Sequence, residues 1–387
     1  GALGGCRGRG QLRDLSRELV RQGHSLTVML PTSGMDEPWA LEDFDGVQVL
    51  RLRAPRTKDI NYVQRTLGEF FMPFAMLRNL RKSPLSEGNW DGVVWYAPSI
   101  FFGPIASALK KTSGCRSYLI IRDIFPEWAV DMGLMGRGLP YRFFSAVANY
   151  QYSVADVIGI QTRGNAVDFD EWQKKDKRRL EGLQNWLADA PAGHCSVNLA
   201  KTSLAGRKVF VYAGNMGVAQ GMNILLDLAE ELRSREDIGF LFVGRGSDAQ
   251  KLAADAKRRN LENVLFHDEI DPDEIPGLYA QCDVGLVALH PRHKTHNIPG
   301  KFLTYMQSGL PVLAKINEGN DLVNLIRDER VGAVVTDNSV DLLKRTAESL
   351  VEQCDQDGGL PSRCRVVYER LFSPEMAVKQ IVNALEK

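Results

Sequence analysis

The chain has 387 residues, with 48 Lys and Arg against 48 Asp and Glu. That length is too great for one compact core and suits two domains, and zero net charge argues against a general polyanion binder while leaving room for a local basic patch. With 44% hydrophobic and 25% charged residues, the composition is that of a soluble globular protein. The cysteines at Cys6, Cys115, Cys195, Cys282, Cys354 and Cys364 form no CxxC pair and no Cys/His spacing that suits zinc, and they read as reduced thiols of a cytosolic protein. No apolar run approaches the ~20 residues of a bilayer span, and no signal peptide is visible.

Helical spacing over Gln11–Gln22 and a strand over Ser25–Leu30 open the chain. A doubly wound domain starts with a strand before its first glycine loop; none precedes Gly4 and Gly5, so the first strand is expected to be missing from the numbering. A strand follows at Val47–Leu52. A helix is predicted over Ile60–Lys82, broken or kinked at Pro73, with an apolar load of Leu67, Phe70, Phe71, Phe74, Met76, Leu77 and Leu80 among Arg65, Arg78, Arg81 and Lys82. It reads either as a core helix or as an amphipathic surface for a membrane. Strands at Gly92–Tyr96, Tyr118–Ile121 and Asp156–Gln161 alternate with helices at Phe102–Lys111 and Tyr141–Ser153. A charged helix is predicted over Asp168–Leu180 and a short strand over Leu183–Trp186. Ala188–Leu204, rich in Ala, Pro, Gly and Ser, reads as a linker.

The pattern restarts with an apolar strand at Val209–Tyr212. Gly214, Asn215, Gly217, Gln220 and Gly221 follow at once, and then a helix over Met222–Leu232 with Leu225, Leu226, Leu228, Ala229 and Leu232 at helical spacing. A strand, a glycine turn and a helix start point free backbone N–H groups at a phosphate, and the helix N-terminus adds about half a positive charge. An ordinary βα turn fits the same residues equally well. Further strands are predicted at Gly239–Val243, Val264–Phe266, Val284–Ala288, Pro311–Ala314 and Gly332–Val335, with helices between them and three more helices to the end. Regular alternation implies an α/β protein with parallel sheets, two domains and a cleft, with ligands at the carboxyl ends of the strands.

Several stretches, in order, carry a resemblance: GGCRGRGQLRDLSRELVRQGHSLTV (4–28), RDIFPEWAVDMGLM (122–135), LQNW (183–186), YAGNMGVAQGMNILLDLAEEL (212–232), FLFVGRGSD (240–248), LYAQCDVGLVAL (278–289) and IPGKFLTYMQSGLPVLA (298–314). Together they resemble GT-B glycosyltransferases, specifically retaining enzymes of glycosyltransferase family four, close to the bacterial O-antigen and capsule transferases of N-acetylfucosamine-type sugars. The resemblance implies two Rossmann-like domains facing across a cleft. An N-terminal acceptor-side domain would span 1–187, a linker 188–205 and a nucleotide-sugar donor domain 206–371, and a C-terminal helix at 372–387 is expected to return to the first domain.

The resemblance also implies site residues. Gly4 and Gly5 match the first-domain glycine loop. Gly214, Asn215, Gly217, Gln220 and Gly221 match the donor diphosphate loop, but Asn215 and Gln220 stand where the family usually has Arg and Lys. His296 and Thr304 stand where it usually has two glutamates. Loop amides and the Asn and Gln side chains are then expected to donate to the diphosphate, with Lys301 of Pro299-Gly300-Lys301 supplying the charge. Gly244 and Arg245 follow another donor-domain strand, and Ile270 ends a segment that reads the base. Asp123 and Glu127 follow a first-domain strand. An acid there can accept or orient an acceptor proton; for Asp123 a helix N-cap or an ion pair with Arg122 fits as well. His290, Arg292, His293 and His296 read as sugar or phosphate contacts, and no metal or cofactor is expected.

The function implied is retaining transfer of a sugar from a UDP-sugar to a lipid-linked saccharide acceptor in cell-surface polysaccharide synthesis. The protein is expected to be cytoplasmic, peripheral on the inner face of the plasma membrane and in contact with anionic lipid, with no nucleic-acid partner. A nucleotide-sugar 2-epimerase of the same fold and a non-catalytic nucleotide-sugar binder remain open beside it.

Overall fold

The computed structural model describes residues 7–97, 99–131, 133–174, 178–291 and 297–386. The chain divides into two compact units, Gly1–Gln184 with Pro374–Lys387, and Asn185–Ser373.

The first unit contains α1 (Arg7–Arg21), β1 (Thr27–Thr32), β2 (Trp39–Phe44), β3 (Val47–Arg53), α2 (Tyr62–Leu80), β4 (Gly92–Tyr96), α3 (Gly103–Ser113), β5 (Arg116–Ile121), α4 (Glu127–Asp131), α5 (Leu139–Val154), β6 (Val157–Ile160), α6 (Asp170–Gln173) and β7 (Arg179–Gly182). Its strands form two ladders, β1-β3-β2 and β4-β5-β6-β7. All pairings are parallel except β2 with β3. That antiparallel strand is absent from the sequence reading. It is set by Asp45 and Gly46, both at positive φ (55° and 80°), the backbone of a tight two-residue hairpin. Leu50 and Leu52 of β3 share one buried cluster with Val93, Trp95, Leu119 and Ile158, so both ladders cover the same core.

Asp168–Leu180 is not one helix: a 3-10 turn at Arg163–Phe169 runs into the four-residue α6, and Arg179 and Leu180 already belong to β7. Leu183–Trp186 is not a strand; β7 ends at Gly182, and Leu183 makes a single backbone bond to Ile160 beyond it. β7 is a polar edge strand with no buried residue, so it lacks the alternating apolar signal that marks strands. Pro73 lies inside α2, which runs through it to Leu80.

The second unit contains β8 (Lys208–Ala213), α7 (Asn223–Glu231), β9 (Ile238–Val243), α8 (Ala249–Arg258), β10 (Val264–His267), α9 (Ile275–Tyr279), β11 (Val284–Ala288), α10 (Gly300–Gln307), β12 (Val312–Lys315), α11 (Asp321–Glu329), β13 (Gly332–Val335), α12 (Val340–Gln356) and α13 (Leu360–Leu371). Six parallel strands run in the order β10-β9-β8-β11-β12-β13. Side-chain alternation sorts them onto two cores. Val209, Val211, Val287, Val312 and Ala314 pack with α10 and α13 on one face, and Phe210, Tyr212, Leu286 and Leu313 pack with α7 and α12 on the other. The 188–205 stretch buries Val197, Leu199 and Leu204 in the first of these cores. The last helix, α14 (Pro374–Glu386), belongs to the first unit, where Gln380 donates to Glu181 and Gly182. Among the described residues no helix is long and apolar enough to cross a membrane.

Candidate functional site

The β8 strand delivers Gly214 to the carboxyl end of the second-unit sheet, the end at which open α/β sheets hold ligands. Gly214 has φ 141° and its N–H bonds to the Val243 carbonyl. Two glycine loops meet there back to back. A β-carbon on Gly244 would lie 2.1 Å from the Gly214 carbonyl oxygen, and one on Gly246 would lie 2.2 Å from that of Met216. The Met216 N–H bonds to the Arg245 carbonyl at 2.8 Å, and the Asp248 N–H to the Met216 carbonyl at 3.0 Å. Only residues without a side chain permit this approach.

Within the loop, Gln220 faces inward. Its Oε1 accepts from the Gly217 N–H at 3.0 Å and lies 3.4 Å from Asn215 Nδ2. Gln220 therefore braces the turn, while Asn215 is exposed. Gly221, at φ 58°, passes so close to β11's exit that a β-carbon would be 2.9 Å from His290 Cα; the His290 N–H bonds to the Ala219 carbonyl. The chain then enters α7.

Pro299 is the extended N-cap of α10, and Gly300 opens the helix. This places Lys301 in the first turn, with Nζ 3.2 Å from the Tyr212 hydroxyl and 4.3 Å from the centre of that ring. The same ammonium lies 3.8 Å from the position of a β-carbon on Gly214. Lys301 and the Gly214–Gly221 loop are thus brought together by the fold. Thr304 is spent locally: its hydroxyl bonds to the Lys301 carbonyl at 2.8 Å. Arg245 is turned out to solvent and pairs with Glu269 at 2.9 Å. Ile270 packs against the core beyond β10. Gly4, Gly5, Arg292, His293 and His296 lie outside the described residues.

In the first unit, Asp123 follows β5 and is exposed. The surrounding protein nonetheless holds its carboxyl above the ordinary range: desolvation raises it and the Arg122 charge lowers it by less. Arg122 is not the surface ion-pair partner that the sequence allows. It is 6% exposed, and its guanidinium donates to the Leu183 and Gln184 carbonyls; burial lowers its pKa to about 10. Glu127 opens α4 and accepts from the Tyr141 hydroxyl at 3.3 Å. Asp123 and Glu127 follow the same strand, with no hydrogen bond between them among the described residues.

A cavity of about 570 Å³ opens in the second unit, lined by Lys208, Cys282, Asp283, Pro311, Cys354 and Arg365 among others. Lys208 and Val284 begin their strands, so this cavity lies at the amino ends of the sheet, away from the Gly214 loop.

Residues 207–353, which hold the whole Gly214–Lys301 arrangement, match the family model described as glycosyl transferases group 1. The chain is a glycosyltransferase. It is 24% identical over 377 residues to the Pseudomonas aeruginosa protein named as glycosyltransferase WbjE, covering 94% of this chain and 90% of that one. It is 23% identical over 312 residues to WcaI of Escherichia coli K12, named for glycosyl transfer in colanic acid biosynthesis, covering 77% and 75%. Anabaena HepE, solved in complex with UDP, superposes with a TM-score of 0.60 at 14% identity, over 88% of this chain and 86% of that one. The fold of the glycosyltransferase is GT-B.

Sequence reasoning missed three residues of this glycosyltransferase. Tyr212 looks like an ordinary core aromatic, and its tie to Lys301 spans 89 positions. Arg122 looks like a surface charge. Lys315 looks like the polar end of a strand, yet it is 2% exposed. No periodicity reports such contacts.

Proposed function

We propose that this glycosyltransferase moves a sugar, with retention, from a UDP-sugar to a lipid-linked saccharide acceptor in cell-surface polysaccharide synthesis. The observation that carries the donor half is Lys301 Nζ held over Tyr212 beside the Gly214 turn. An ammonium beside a glycine turn that runs into a helix start suits stabilisation of a departing nucleoside diphosphate. The naming of WcaI for colanic acid synthesis and the UDP held by HepE support the polysaccharide context and the nucleotide.

In this reading the bond from the anomeric carbon to the phosphate oxygen breaks. The acceptor oxygen bonds to the same face of the sugar, and the leaving phosphate takes the acceptor proton. The chain's own residues bind and orient the diphosphate and neutralise its charge, with no metal needed.

The acceptor half rests on α2. Helical geometry puts Val63, Leu67, Phe70, Phe71, Phe74, Arg78 and Arg81 on one side of this helix, and Met72, Met76 and Leu80 on the other, which is buried. Val63 is 71% exposed, Phe71 55% and Phe74 50%. Phe70 continues the aromatic surface to Phe143 of α5, with ring centres 6.1 Å apart. An aromatic strip that runs into exposed cations matches an anionic lipid surface, where a lipid-linked acceptor resides.

The test is thermal unfolding with UDP, followed by transfer assays with UDP-sugars and a lipid-linked saccharide in the presence of EDTA. A ligand at 100 times its dissociation constant adds about 2.7 kcal/mol. Stabilisation by UDP and EDTA-resistant transfer with retained anomeric configuration are expected. No shift with any nucleoside diphosphate would overturn the reading.

A further inference from the structure

The last residue of β12 is a lysine in an unusual setting. Lys315 is 2% exposed and ranks among the largest fully buried side chains. Its backbone is locked into the sheet: it pairs in register with Ala288 of β11 and Val335 of β13, and its carbonyl accepts from the Leu289 N–H at 3.0 Å. Its ammonium has no hydrogen bond or ion pair among the described residues. It is also not one of the unpartnered polar atoms sealed away from solvent, so the nitrogen retains an outlet. Asp337, itself exposed, acts on it only through space. Desolvation holds the lysine below its ordinary range. A buried cation without a partner is destabilising, and a hydrocarbon of equal size would pack better there.

Its position gives the reason. Alternation puts Lys315 on the same sheet face as Leu313, the face that α7 and α12 cover, and α7 is the helix into which the Gly214–Gly221 loop runs. The strand ends are tied together: His290, just beyond β11, bonds through its N–H to Ala219 of the loop and through its carbonyl to Asn317 Nδ2 at 3.1 Å, two residues past Lys315. Lys301 comes from α10, on the opposite face.

We propose that Lys315 is a second donor-binding cation, which meets the donor's diphosphate from the end of β12 while Lys301 meets it from the first turn of α10. The proposal rests on the donor reading above and names a residue for it. The loop lacks both an Arg and a Lys, and two lysines on flanking elements supply the missing charge. The diphosphate is in turn the partner that the buried ammonium lacks.

The experiment measures binding of UDP, uridine and inorganic pyrophosphate by calorimetry to the wild type, Lys315→Met and Lys315→Arg, with melting of each ligand-free protein. Lys315→Met keeps the stem and removes the charge. It should melt at or above the wild type, bind UDP about tenfold or more weakly, and leave uridine binding unchanged; Lys315→Arg should retain most of the UDP affinity. Equal UDP affinity in wild type and Lys315→Met overturns the proposal and leaves the donor reading standing. A Met variant that melts well below the wild type marks a structural lysine and also overturns it. Wild type that binds pyrophosphate through Lys315 but no UDP keeps the anion site and sinks the donor reading. Wild type that binds neither ends both.

Discussion

The Lys301 ammonium and the Tyr212 hydroxyl lie 3.2 Å apart, and that hydroxyl in turn donates to the Asn215 carbonyl at 2.7 Å. One tyrosine thus links a cation on α10 to the backbone of the glycine loop. The arrangement holds the ammonium over the tyrosine ring, 4.3 Å from its centre, where cation and ring face attract.

Lys301→Ala should weaken UDP binding about tenfold or more, since a hydrogen bond to a charged group contributes roughly 1.5–3 kcal/mol. Uridine, which lacks the phosphates, should bind as before. Tyr212→Phe keeps the ring and loses the hydroxyl, so its effect on UDP should be smaller. Calorimetric titration of both variants with UDP and uridine separates these outcomes; equal loss of the two ligands in Lys301→Ala would mean that the lysine does not read phosphate.

Gly244→Ala should be strongly destabilising. The residue has φ 138° and its β-carbon would sit 2.1 Å from a backbone oxygen that cannot swing away. Strain of this kind costs more than about 2 kcal/mol. Gly193→Ala, with nothing within 4 Å of the added carbon, should change stability by less than about 1 kcal/mol. Urea midpoints compare the two, and a neutral Gly244→Ala would show that the two loops can part.

Asp123 supplies a pH dependence. Its carboxyl is raised in the folded protein, so the folded state binds a proton more tightly than the unfolded chain. The stability from that proton is fully present below the ordinary carboxylate pKa and is lost as pH rises through the folded value. Asp123→Asn cannot ionise and escapes the loss. Its melting temperature relative to wild type should therefore rise as pH increases above about 4, the ordinary carboxylate range; a difference that shrinks with rising pH would reverse the sign of the shift.

The α2 strip predicts sedimentation with vesicles that contain anionic lipid. Replacement of Phe71 and Phe74 by Ser should reduce it at any salt concentration. Neutralisation of Arg78, Arg81 and Lys82 should reduce it at low salt and matter less at high salt, where surface charge is screened. All five of these residues sit on exposed positions, so fold stability should be little changed. Unaltered sedimentation of both variants would remove α2 from the membrane proposal.

Much of this was legible in local pattern. The apolar run of β8, the glycines after it and the amphipathic α7 located the loop, and Pro299-Gly300 located the start of α10. Asp45-Gly46 marks the β2 hairpin, but its strand, Trp39–Phe44, carries charges toward solvent and so lacks the apolar pattern of a strand. The stretch up to Leu180 hides its strand because β7 is a short edge strand: with no face buried, nothing obliges its residues to alternate.

The strand–helix alternation and the places that require glycine follow from local residue order, since they depend on neighbours within a turn or two along the chain. The tertiary structure alone decided which side chains meet. Gln220 turned inward to hold Gly217, Arg122 was buried against the Leu183 carbonyl 61 positions away, and Lys301 and Lys315 came to the same sheet end from α10 and β12. Those contacts join residues that are remote in the chain, and their energies depend on burial and on partners brought in by other strands. The glycine loop was therefore readable from its own residues, whereas the cations around it were fixed only when β11, β12 and α10 assembled beside β8.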